Sequence, residues 1–172
     1  YMQNDLPIPD EVLTEANTII QTLLSFGTDF FAFLVVTAIV AAFAFYFGSD
    51  RITMIIAGVY AAIPLYLNFP YFNFFPNTAW ISILIFVSFA TLAGLAFSGL
   101  SYFMASSSVG FFRLLALSAL VGGFIMAVAI HILPVQELYT FSAPTLALFQ
   151  SAHLYFLWLV APLAGLFFIG RV

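Results

Sequence analysis

The sequence predicts an all-α integral membrane protein, a five-helix transmembrane bundle preceded by an N-terminal amphipathic helix. Three observations carry that expectation. Of 172 residues, 65% are hydrophobic and 6% charged, whereas a soluble domain carries about a quarter charged residues. Mean hydropathy is +1.17. Five apolar stretches, at 26–47, 52–69, 79–104, 111–133 and 146–169, are long enough or nearly so to cross a hydrocarbon core of about 30 Å at about 1.5 Å per helical residue. Barrel strands would alternate polar and apolar residues over about ten positions; these runs are continuous.

The elements follow in order. The first residues are acidic and have no basic start, unlike a secretory signal peptide. Residues 9–25 read as an amphipathic helix. Val12, Leu13, Ala16, Ile19, Ile20, Leu23 and Leu24 recur at helical spacing, with Glu11, Thr14, Glu15, Thr18, Gln21, Thr22 and Ser25 on the other face. Gly27 then either bends the chain into the first span or lets the helix run on. Gly48-Ser49-Asp50-Arg51 and Ser106-Ser107-Ser108-Val109-Gly110 read as tight connections, and 68–77 as an aromatic loop holding Pro70 and Pro76. Pro134 closes the fourth span, while Pro64 and Pro162 fall inside the second and fifth, where a missing N–H bends a helix. The 18-residue second span is the shortest.

Charge narrows both function and orientation. The chain has no lysine and three arginines, Arg51, Arg113 and Arg171, which excludes an electrostatic nucleic-acid binder. With five spans the three arginines share one side. The positive-inside rule makes that side cytoplasmic, with the N-terminus outside, as in a multi-pass protein of a bacterial inner membrane. The absence of cysteine excludes disulfides, thiolate metal sites and a cysteine nucleophile.

Candidate functional residues are few. Asp29 is the one acid near a span interior, and such a residue points either to an ion path or to an interface acid that ties down a turn. His131 and His153, the two histidines, are candidate ligands for a haem or pigment, or else interface residues bonded to carbonyls or water. Small residues form lines for close helix approach: Ala90, Gly94 and Ser98 on span three, Ala119, Gly122 and Gly123 on span four, Ala161 and Gly165 on span five. The first is the longest and is the expected interface of a homo-oligomer. Tyr60, Tyr66, Tyr71 and Trp80 read as an aromatic belt at the outer boundary. No nucleophile elbow, zinc helix or phosphate loop occurs, so no catalytic or metal residue and no cofactor is expected.

Two stretches resemble the colicin V production family of small polytopic bacterial membrane proteins. One is the helix–turn–helix at 41–66, with Phe47-Gly48-Ser49-Asp50-Arg51 at the turn; the other is 99–134, where a polar connector and Arg113 lead into Leu120-Val121-Gly122-Gly123-Phe124. The family has about four spans and a Gly-x-x-basic-Gly turn. Here Ile52 stands where the second glycine belongs, and a fifth span is added. The resemblance implies a membrane protein and assigns no catalytic residue. The function expected from the sequence is non-enzymatic: a structural or assembly protein packing with itself or with partner membrane subunits. A channel, transporter or lytic pore, and a haem- or pigment-binding subunit, are the alternatives.

Overall fold

A computed structural model describes residues 10–48, 50–76, 78–98 and 110–169, and every regular element among them is helical. The helices are α1 (Asp10–Phe47), α2 (Asp50–Leu67), α3 (Ala79–Ser98), α4 (Phe111–Ile132), α5 (Ala143–Gln150) and α6 (Ala152–Ile169). Single 3-10 turns at Phe72–Phe74 and Val135–Glu137 shape two of the connections. Three helices are long and apolar enough to cross a membrane, and a fourth crossing is made if α5 and α6 count as one bent span. Residues 99–104 of the third expected span, the serine-rich connector and Arg171 lie outside the described residues.

α1 is a single helix of 38 residues, about 57 Å at the helical rise. The expected amphipathic helix is therefore continuous with the first span, and Gly27 does not interrupt it. Its polar positions explain how it continues. Thr22 donates to the Thr18 carbonyl, Ser25 to Thr22 and Thr28 to Leu24, at 2.7–3.0 Å. Each hydroxyl is satisfied by its own helix rather than competing with it.

α4 is the hub. It packs against α1, α2, α5 and α6, and 56% of its most apolar window is buried, against 17% for α3. Leu117 and Val121 on α4 are buried with Ile52 and Ile56 on α2, and Phe124 and Val128 with Val59 and Ala62. α1 and α4, α2 and α3, and α4 and α6 run antiparallel, whereas α2 and α4 run parallel; Phe45 near the end of α1 meets Phe111 at the start of α4. Gly58 of α2 meets Ala90 and Gly94 of α3, Gly122 of α4 meets Thr37 of α1, and Gly165 of α6 meets Leu117 and Leu120 of α4. Arg51 and Arg113, at the starts of α2 and α4, consequently share one end of the bundle.

The turn between α1 and α2 follows its glycine. Gly48 has φ +98° and accepts the Arg51 N–H at 3.1 Å, a left-handed conformation in which a Cβ is strained. α2 survives Pro64 and ends at Leu67, where Asn68 Nδ2 donates to the Pro64 carbonyl at 2.9 Å.

Within the expected fifth span at 146–169 the helix is interrupted. The helical segment starts at Ala143, breaks at Ser151 and bends by 64° between α5 and α6. Ser151 is extended (φ −60°, ψ 129°), and its carbonyl accepts the Tyr155 N–H at 2.8 Å. Serine favours this helix-start conformation, so Gln150-Ser151 ends one helix and begins the next inside an apolar run.

Candidate functional site

The bundle ties its long first helix to the α4–α5 connection through one buried acid. Asp29 is 2% exposed. Its Oδ1 accepts the Tyr139 hydroxyl at 2.9 Å, and its Oδ2 accepts the Ser142 N–H at 2.8 Å and the Ser142 hydroxyl at 2.6 Å. Because the Ser142 proton is committed to Asp29, Thr145 donates to the Ser142 oxygen across 3.0 Å. Ser142 is the N-cap of α5 and Pro144 occupies its first turn. The carboxylate thus faces the positive end of α5, where an anion is favoured and a missing proline N–H costs nothing. Burial of an acid is tolerated only when its oxygens are bonded, and here three donors satisfy them. Tyr139, in the connection outside the helices, has its phenol held above the ordinary tyrosine value by the hydrogen bond to Asp29, by partial burial and by the nearby negative charge. The three bonds join α1 to Tyr139 and Ser142 of the α4–α5 connection.

Beyond this tie α1 is bare. Residues 17–28 are all exposed, among them Ile19 (59%), Ile20 (53%), Leu23 (64%) and Leu24 (67%). From Asp29 back to Asp10 the helix extends about 28 Å at 1.5 Å per residue. From Asp29 forward to Phe47 it covers about 27 Å, close to one hydrocarbon thickness.

The small-residue lines are used inside the chain. A Cβ on Gly58 would meet the Ala90 carbonyl oxygen at 2.5 Å, and one on Gly94 would meet the Met54 carbonyl at 3.4 Å. Gly94 is buried, while Ala90 and Ser98 are half-buried. Ala90 and Gly94 thus admit α2 of the same chain. Gly122 admits Thr37 of α1, Gly123 admits the Trp158 ring of α6, and Gly165 faces Leu117 and Leu120 of α4; Ala119 and Ala161 are half-buried beside them. Trp158 also stacks on Phe149 of α5 at 5.3 Å, which seats the bent pair on α4.

His131 and His153 are both exposed. His131 stacks on Tyr155, ring centroids 4.0 Å apart and 11° from parallel. Among the described residues no group of three or more His, Asp or Glu is placed to hold a metal ion.

Two members of the expected aromatic belt lie in the bundle instead. Tyr66 is buried against Phe72 and Phe86. Tyr60 stacks on Phe124 at 4.6 Å, and its hydroxyl donates to the Leu159 carbonyl. Pro162 lies three residues further along the same helix. Tyr71 and Trp80 are exposed, as a belt requires. The buried hydroxyls of Thr37 and Ser118, at the α1–α4 contact, have no hydrogen-bond partner.

No protein-family model matches the chain, and no curated protein or solved structure is significantly similar to it.

Proposed function

We propose that this chain is a non-enzymatic membrane assembly protein, a five-pass bundle that presents the N-terminal half of α1 to further copies of itself or to partner membrane subunits. The observation that carries this reading is the continuity of α1. Had residues 9–25 formed a separate helix, their apolar stripe would rest on the bilayer interface. In this reading residues 29–47 make the crossing, and the single 38-residue helix carries the stripe beyond it. Ile19, Ile20, Leu23 and Leu24, exposed on that extension, then need another protein surface to cover them.

The Asp29 tie supports the same reading, because it fixes the direction of the arm where it leaves the bundle. In this reading the arginine-bearing end is cytoplasmic, the arm lies outside, and the membrane is a bacterial inner membrane. The resemblance to the colicin V production family agrees with a small polytopic protein of that membrane. Asp29 is a bonded anchor, so the transport alternative finds no support at this residue. The test is the mass of the particle extracted in mild detergent, for the wild type and for Ile20→Asp. The reading expects a multimer or a defined heteromer that Ile20→Asp disperses; a wild-type monomer overturns it.

A further inference from the structure

α2, α3 and α4 enclose an apolar groove of about 490 Å³ that the assembly reading leaves unused. Met54 and Val59 of α2, Val87 and Thr91 of α3, and Val128 of α4 line it, with Arg51 at one end. On α3 the lining runs from Ile83 to Leu95, about 18 Å at the helical rise. One leaflet of a hydrocarbon core of about 30 Å is roughly 15 Å deep, so the groove matches a single lipid tail in length. Thr91 does not make the wall polar, since its hydroxyl donates to the Val87 carbonyl at 2.8 Å. The close approach of α2 and α3 at Gly58 and Ala90 brings the two helices together beside it.

The end of the groove has different chemistry. Arg51 is exposed, and its guanidinium Nη1 donates to the Met54 sulfur at 3.2 Å, a weak acceptor that leaves most of the five donors of an arginine uncommitted. A planar guanidinium matches phosphate geometry, and basic groups at the cytoplasmic ends of membrane helices recognise anionic head groups. The cation and the hydrocarbon slot are joined, which calls for one molecule that carries both a phosphate and a chain.

We propose that the α2–α3–α4 groove is a binding site for one anionic phospholipid, its acyl chain along Val87 and Thr91 and its phosphate on Arg51. The proposal rests on the chain being membrane-embedded but not on the arm of α1 binding a partner, so the two fail separately. Native mass spectrometry of the protein in detergent, titrated with phosphatidylglycerol or phosphatidylcholine of identical chains, tests it. The wild type is expected to hold one phosphatidylglycerol with about tenfold preference over phosphatidylcholine. Arg51→Gln should bring the two lipids to parity while still binding both. Arg113→Gln, at the same end of the bundle but outside the groove lining, should keep the preference. Thr91→Trp fills the slot and should lose both adducts, with Val87→Trp as a second blocking variant should the first fail to fold. Absence of a wild-type adduct, a preference indifferent to Arg51→Gln, or an adduct that survives both tryptophans would overturn the proposal. So would displacement of the lipid by inorganic phosphate at equal concentration, which would mark an anion site without a chain.

Discussion

The carboxylate of Asp29 on α1 accepts both the backbone N–H and the hydroxyl of Ser142, at 2.8 and 2.6 Å, across 113 positions of sequence. The bond joins the middle of the longest helix to the first turn of the shortest. Asp29→Ala would leave the Ser142 N–H and hydroxyl without their acceptor at a buried site. Its expected cost is about 2–3 kcal/mol, the desolvation of unsatisfied donors plus a lost charge-assisted bond. Asp29→Asn keeps one acceptor oxygen and should cost about half as much. Unfolding of the three proteins in the same detergent checks the order; an Asp29→Ala variant as stable as the wild type would remove the tie from the account.

Tyr139 gives the same cluster a pH signature. Its phenol is raised above 10.0, first by the hydrogen bond to Asp29 and then by partial burial and the acid's charge. The folded state therefore favours the neutral phenol. Its contribution is complete below the unfolded value and is lost as pH rises through the raised folded value. The stability difference between wild type and Tyr139→Phe should be constant around neutral pH and shrink in alkali. A difference that grows with pH would contradict the bond.

Two glycines should respond in opposite directions. A Cβ on Gly27 meets nothing within 4 Å, and alanine is favoured over glycine in a helix interior by roughly 0.5–1 kcal/mol. A Cβ on Gly58 meets the Ala90 backbone oxygen at 2.5 Å, which cannot rotate away. Gly58→Ala should therefore destabilise by about 1–3 kcal/mol, while Gly27→Ala is neutral or stabilising. Melting curves of the two variants decide it.

Much of this architecture was legible because hydrophobicity over a long window is a collective signal. The start of α3 at Ala79 and of α4 at Phe111, and the end of α4 just before Pro134, follow from continuous apolar runs and a terminating proline. The break at Ser151 was not legible, because a cap is one residue's preference and an averaged run of 24 residues conceals it. Tyr60 and Tyr66 were placed at the boundary because a hydroxyl on an apolar ring usually sits there. In the fold the Tyr60 hydroxyl is met by the Leu159 carbonyl, 99 positions away. Asp29 was recognised as notable from its position, but its partners were not. The pattern Ser142-Ala143-Pro144-Thr145 is readable as a helix start; that it lies opposite Asp29 depends on α4 packing against both α1 and α5. A small residue marks where a helix can come close, but nothing local indicates which helix arrives: in the fold α2 lies against Ala90 and Gly94, and Thr37 of α1 against Gly122.

The shared position of Arg51 and Arg113 at one end of the bundle yields a labelling pattern. The chain contains no cysteine, so single cysteines report uniquely. Cysteine at Ser49 or Ser107 should be shielded from an impermeant thiol reagent in intact cells, and cysteine at Asn73 or Thr140 should react. Reversal of the pattern would invert the orientation, and labelling of Ser107 and Thr140 from the same side would change the number of crossings.

The most direct test of the assembly reading compares two charges placed one residue apart on the exposed arm of α1. Ile20→Asp puts an acid into the apolar stripe, whereas Gln21→Asp puts the same charge on the polar face. The measurement is native mass spectrometry from mild detergent, with the thermal stability of each variant recorded beside it. The account predicts that the wild type and Gln21→Asp run as the same assembly, larger than one chain of 18.9 kDa, and that Ile20→Asp releases a bundle of unchanged stability. A wild-type particle of one chain, or an assembly equally insensitive to both substitutions, would contradict it.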